Sequence, residues 1–495
     1  MIKTRKSMGG LLAAALMSAS LALSGCDDLL KVELPAEMTD EVLGDPAGAT
    51  LQMNTVVGNF EYAFNDYFWD LAGREDTQEV FARSPGTNRA AFSYASIASS
   101  TAGTDWFNEM NTARLFAESL HEKLDKAWTV KQVADRAKYL AITSMYAGAV
   151  YSYLGGTMCE MAVDAGPMVK PDEAYTKAEA ALTRAITEIQ AVTGGDFVMP
   201  FGVSTSALNM AYGLRAQLRW QKGDMAGAKL DAEKIPKGFR AFITRESVPD
   251  RRNVAYDAGG GGGGAYAEVL GLNDWWKGTN PVTGKAWPTP LPFTGYTYLG
   301  ILPDGRAVRE DGLPIRTQGT NRLPEESTAV ADARVTTVLG VISGKGGVSR
   351  PTNVRFSGIG DDIPLVNWKE MWLIRAEAEG GQRAIDLVNE IRTNDKMPLV
   401  TYASAANATQ IKYMIFEERR RALWLEGRFF FTKMKNLDTM WFPRGVGITP
   451  EGGLALGGGV RFIMPDTEYQ LNPNLTLDSK ATGCATNEKP LFNLG

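Results

Sequence analysis

One histidine in 495 residues sets the first limit on chemistry. It is His121, beside Glu122 and Lys123 in a helical pattern, and it reads as a solvated surface side chain. A single imidazole leaves no histidine-based metal cluster and no Ser-His-Asp triad. No Gly-x-Ser-x-Gly elbow and no Walker-type phosphate loop occurs. The run from Gly259 to Gly264 lacks the Lys-Ser/Thr such a loop needs and reads as linker. A glycosidase requires two carboxylates about 5–10 Å apart, and 57 acidic residues supply pairs without marking one. Aromatic residues have a clearer use. Trp275 and Trp276 are adjacent in a stretch without helical period, with Asn273 and Asp274 next to them. Two neighbouring tryptophans in a loop do not both bury easily. An exposed ring beside amide and carboxylate groups suits stacking on a ligand's apolar face with hydrogen bonds at its edge. The chemistry on offer is binding, with no metal, cofactor or catalytic residue assigned.

The elements that must position these residues are mostly helices. Helical pattern covers 47–57, 106–126, 135–154, 174–192, 204–222, 225–235, 368–379 and 382–392. Gly155-Gly156 reads as the stop of one helix, and Pro171-Asp172-Glu173 as the start of the next. An aromatic segment from Phe60 to Trp69 follows the first helix. The densest pattern runs from Asn407 to Asn436 as one long helix, with Asn407 and Gln410 as a capping box. It carries two opposed apolar stripes, Phe416, Leu423 and Phe430 on one and Ile411, Met414 and Leu425 on the other. A helix apolar on two faces sits between two neighbours, which implies stacked helical layers. Its Arg and Glu residues read as internal salt bridges, such as Glu417 with Arg421, and not as an anion site. Gly223-Asp224, Ala228 and Pro236 partly echo a tetratricopeptide unit.

The N-terminus reads as a leader, 1–25. Lys3, Arg5 and Lys6 precede an apolar run from Leu11 to Leu23 that is too short for a permanent span. Leu23-Ser24-Gly25-Cys26 matches a bacterial lipobox, so Cys26 is expected to carry the lipid anchor. Loss of the leader and its three positive charges takes the net charge from −5 to −8. An acidic chain without a basic stripe argues against nucleic acid as partner. In an exported compartment Cys159 and Cys484 are the disulfide candidates, closing a very long loop. The rest divides into a helical part at 26–248, a Gly-, Pro- and Thr-rich irregular region at 249–361, and a helical part with tail at 362–495.

Three C-terminal blocks stand in a telling order: Pro364-Leu365-Val366-Asn367-Trp368-Lys369-Glu370-Met371-Trp372-Leu373-Ile374-Arg375-Ala376-Glu377-Ala378, then Val388-Asn389-Glu390-Ile391-Arg392, then Glu417-Glu418-Arg419-Arg420-Arg421-Ala422-Leu423-Trp424-Leu425-Glu426-Gly427-Arg428. With the lipobox, this order resembles the SusD/RagB family of outer-membrane nutrient-binding lipoproteins. The resemblance implies a mainly α fold, a tetratricopeptide-like right-handed superhelix of four helix pairs with a loop-rich, irregular ligand-binding part. It also implies a stable complex with a TonB-dependent outer-membrane transporter (SusC-like) and an oligosaccharide or peptide ligand. Surface exposure follows from the family, and Asp27-Asp28 after the lipid-bearing cysteine looks similar to its export signals. Family ligand sites are built from loops of two regions, which adds Trp69, Asp70, Arg74 and Tyr296 to Asn273, Asp274, Trp275 and Trp276. Two other readings stay open: a tetratricopeptide-type scaffold lipoprotein of the envelope, and an exported glycan-degrading enzyme.

Overall fold

The computed structural model describes residues 43–74, 78–80, 104–259, 270–272, 300–301, 307–308, 334, 337–340, 350–353, 355–400, 403–436 and 461–479. Described residues from Ala49 onward belong to one compact unit, and 43–48 to a separate N-terminal one. The first helix, α1 (Ala49–Arg74), is much longer than the 47–57 expected. Its aromatic stretch continues the helical spacing, for Val56, Val57, Phe60, Phe64, Tyr67 and Phe68 are all buried along it. It packs against α2 (Thr104–Glu122), which packs in turn on α3 (Arg136–Thr157). Helix α3 is buried almost all round, as expected of an inner layer. It runs through Gly155-Gly156 instead of stopping there. A Cβ on Gly155 would meet Ala174 Cβ at 2.9 Å, and one on Gly156 would meet Phe431 Cε1 at 2.6 Å. These glycines permit close helix contact and do not end the helix.

Helix α4 (Pro171–Ala191) lies along α3, with Pro171 at its first turn followed by Asp172 and Glu173. Helices α5 (Ala207–Lys222) and α6 (Met225–Ala232) form the next pair. Ser206 caps α5, Gly223 ends it at φ 91°, and Asp224 at once caps α6 by accepting from Gly227 N at 2.9 Å. The chain then enters strand β2 (Arg240–Ile243), the second strand in chain order after β1 (Gln78–Val80). Strand β2 pairs antiparallel with β8 (Ile363–Asn367), Ala241 opposite Val366, and β8 is buried on every residue. Through this ladder the last helices join the first ones in a single core. Short helix α7 (Val254–Gly259) follows β2 and contacts α1. Between β2 and β8 lie β3 (Leu270–Leu272), β4 (Gly300–Ile301), β5 (Ala307–Val308), β6 (Thr337–Gly340) and β7 (Arg350–Asn353), in antiparallel pairs β1–β3, β4–β5 and β6–β7.

Helices α8 (Trp368–Glu379) and α9 (Gly381–Asn394) pair, and α10 (Ala408–Ala422) packs on both. Asn407 Oδ1 accepts from Thr409 N and Gln410 N, while the Gln410 side chain turns to Ser404 N at 2.7 Å. The capping box is therefore half formed. The single helix expected from 407 to 436 is broken. It stops at Ala422 and resumes as α11 (Phe429–Met434). Leu425 (φ 55°) and Gly427 (φ 65°) turn the chain between them. A Cβ on Gly427 would come within 3.1 Å of Phe68 Cβ, so the break brings this turn against α1. Helix α12 (Asp466–Leu471) belongs to the C-terminal segment. Among the described residues no helix is long and apolar enough to cross a membrane.

Candidate functional site

The turn between α10 and α11 aims charge inward. Arg428 forks onto Glu370, with Nε and Nη2 at 2.9 and 2.8 Å from Oε1, both side chains nearly enclosed. Gln217 of α5 donates to Glu370 Oε2 at 2.7 Å. Arg419 lies over the Trp220 ring, 4.0 Å from its centroid, with Glu377 and Glu370 at 3.6 and 3.8 Å. Burial alone would raise the Glu377 carboxyl. The facing Arg419 and Lys435 charges and hydrogen bonds from Trp220 and Lys435 outweigh it and hold the group below its ordinary range. The Arg/Glu wedges of the sequence are thus a buried lattice joining α5, α8, α10 and α11.

The same lattice anchors the irregular region. Arg334 pairs with buried Glu418, whose other oxygen takes Arg392 Nε at 3.0 Å. Arg355 pairs with Glu426, which also accepts from Asn367 Nδ2 at 3.2 Å. Burial pushes the Glu426 carboxyl up, against the pull of Arg355 and Asn367. Two arginines of 249–361 therefore reach carboxylates inside the helical stack. On the α1 side, Glu61 accepts from Thr244 N and Oγ1, both at 2.8 Å, and from Arg251 Nη2 at 3.1 Å. Burial pushes the neighbouring Arg245 guanidinium down to about 10.

Beyond the end of α1, β1 pairs with the strand that ends just before the second sequence-predicted region. Strands β1 and β3 pair with Gln78 opposite Leu272 and Val80 opposite Leu270. Leu272 directly precedes Asn273, and Gln78 lies four residues beyond Arg74, the last residue of α1. Backbone register alone therefore brings the ends of the two segments together. Asp70 Oδ2 accepts from Trp106 Nε1 at 2.9 Å. Trp69 corrects the expectation of an open stacking ring: it is 4% exposed and part of the core, because α1 is long enough to carry it into the stack. Asn273, Asp274, Trp275, Trp276, Tyr296, Cys26 and Cys484 lie outside the described residues. Cys159 is buried and disulfide-bonded. His121, read as solvated, is largely enclosed and sits 2.9 Å from Glu188 Oε1, linking α2 to α4. Trp106, Phe462, Arg334 and Arg355 were not singled out from sequence. Only Trp106 carried a signal, as an aromatic at a helix start. Among the described residues no group of three or more His, Cys, Asp or Glu stands ready to hold a metal.

Neither a family model nor a curated protein matches the chain. Solved structures do. A SusD-like carbohydrate binding protein from Bacteroides vulgatus is similar over 87% of this chain and 97% of its own, at 16% identity and TM-score 0.58. A SusD superfamily protein from Bacteroides thetaiotaomicron matches over 87% and 99%, at 13% identity and TM-score 0.55. NanU of B. fragilis matches over 90% and 97%, at 12% identity and TM-score 0.52. This chain has the SusD-like fold, mainly α and built on tetratricopeptide-like helix pairs.

Proposed function

We propose that this chain is a SusD/RagB-family binding lipoprotein. It is held at the outer membrane through Cys26 and exposed at the cell surface, where it captures an oligomeric glycan and passes it to a TonB-dependent transporter without cleaving it. The observation that carries this reading is the SusD-like fold over nearly the whole length of the similar structures, one of which is named as carbohydrate binding. The lipobox Leu23 to Cys26 supports the anchor. The β1–β3 register supports a ligand surface built from the end of α1 and the stretch after Leu272. Trp275, Trp276 and Tyr296 stack on sugar rings there, and Asn273, Asp274 and Arg74 bond the hydroxyls. Trp69 and Asp70 act from behind, fixing the end of α1. The Cys159 disulfide is closed by Cys484, which fastens the chain end to the helical body.

A glycan array probed with the soluble mature protein tests the reading. Binding to at least one glycan, lost in Trp276→Ala, is the expected result. Unchanged binding in Trp275, Trp276 and Tyr296 variants removes the site, and hydrolysis of a bound glycan by the protein alone overturns the non-enzymatic role. Co-purification of a barrel transporter in detergent separates a transport partner from an envelope scaffold.

A further inference from the structure

We propose that the C-terminal segment 461–479 positions the ligand side of α1, through contact of Phe462 with Trp106 and of Trp106 with Asp70. Trp106 and Phe462 are then positioning residues for the binding surface, an inference that rests on the function proposed above. Phe462 N donates to Thr157 O and Cys159 N to Phe462 O, each at 2.8 Å, so the segment is spliced onto the end of α3. Arg461 Nη1 donates to the carbonyls of Gly155 and Met158, both at 3.2 Å, taking carbonyls that a helix end leaves over.

Further along, Tyr469 donates to buried Glu160. Asn472 Nδ2 and Asn474 Nδ2 donate to Gly166 O and Ala165 O at 2.8 and 2.7 Å. Their target is a tight turn, Val163 to Gly166, closed by Gly166 N to Val163 O at 2.8 Å, with Asp164 and Ala165 at φ 53° and 52°. Both central residues are left-handed, as in a type I′ turn, although neither is glycine. From the opposite side Arg114 holds this turn through Asp164, Nη2 to Oδ1 at 2.6 Å. A strained turn gripped from two sides gives the segment a fixed seat.

That seat fixes the Phe462 ring. It meets Trp106 edge-on, centroids 5.1 Å apart at 79°, and Trp106 meets Tyr67 likewise at 5.2 Å and 76°. With its indole wedged between these rings, Trp106 has one direction for its N–H, and Asp70 Oδ2 is there at 2.9 Å. Asp70 stands four residues from the end of α1 and eight before Gln78, where the β1–β3 ladder starts. Residues nearly four hundred positions apart in sequence thus share one line of contacts, from the C-terminal segment to the helix end that feeds the ligand side.

Amide exchange by mass spectrometry on the full mature chain tests this without any ligand. Trp106→Phe keeps an aromatic ring but has no N–H for Asp70; Phe462→Leu keeps apolar bulk but has no ring edge. Both should speed exchange in peptides covering Gln78–Val80 and Leu270–Leu272 by about tenfold, with peptides of α4 and α5 unchanged. Exchange at the ladder equal to wild type in both variants overturns the proposal. So does acceleration spread evenly over all helices, which marks general destabilisation. Where the array identifies a glycan, its Kd should weaken in both variants. A wild type that binds no glycan refutes the proposed function and leaves the exchange result to stand alone.

Discussion

Gly213 in α5 faces Val366 of β8, and replacing it with alanine tests the way the two halves of the chain share a core. A Cβ there would overlap Val366 Cγ1 and lie 3.1 Å from Cγ2 and 3.3 Å from Cβ. On helix propensity alone the change stabilises by about 1 kcal/mol. Against that stands a contact well inside van der Waals range, and overpacking a core typically costs about 1–3 kcal/mol. Val366 cannot retreat, because it is fully buried and paired with Ala241 in the β2–β8 ladder. Gly213→Ala should therefore lose the propensity gain and cost up to about 2 kcal/mol net. Val366→Ala removes the two nearest methyl carbons and leaves 3.3 Å to its Cβ as the closest approach. Alone it opens a cavity; combined with Gly213→Ala the new methyl partly refills that space. The double variant should be more stable than the sum of the singles by at least about 1 kcal/mol. Urea unfolding followed by tryptophan fluorescence measures all four proteins. A stabilising Gly213→Ala, or strict additivity, would refute this packing of α5 on β8.

Two further outcomes follow from the buried charges. Arg428→Met leaves Glu370 enclosed without its forked partner and should cost about 3–5 kcal/mol in the same unfolding assay, with Arg428→Lys failing to restore it, because a point charge does not reproduce the fork. Glu377 is held below its ordinary value of 4.5, so its contribution to stability is fully present above pH 4.5 and is lost as pH falls through the lower folded value. Glu377→Gln should flatten the acid side of the stability–pH curve, and an unchanged slope below pH 4.5 would remove this assignment.

Much of this architecture was legible because apolar spacing is set by the local helix period. The pairs α3–α4, α5–α6 and α8–α9 follow directly from it, whereas the caps at Ser206 and Asp224 are seen only in the structure. The misreadings share a cause: the decisive contact is distant in sequence. Gly155 and Gly156 resemble a helix stop until Ala174 and Phe431 are seen against them. Leu425 gives no local sign of a left-handed backbone, and Gly427 lacks a side chain because Phe68, more than three hundred residues earlier, occupies its space. The proposed site is drawn from two segments, and the β1–β3 register brings Gln78 opposite Leu272, next to the stretch that holds its aromatics. Its burial pattern was not legible. The resemblance places Trp69 in a ligand-site loop, whereas α1 runs well past 57 and carries the ring into the core.

The seat of the C-terminal segment also bears on when the molecule can finish folding. Tyr469 reaches back 309 residues to Glu160, and Thr244 reaches 183 residues back to Glu61. Contacts of such separation slow folding, because a long loop must close before any of them forms. A chain delivered N-terminus first holds α3, α4, Arg114 and the strained 163–166 turn long before Asn472 and Asn474 arrive to grip the turn from its other side. Until Phe462 emerges, Trp106 lacks one of the two rings that flank it, so the packing of the early helices is completed only by the last described segment.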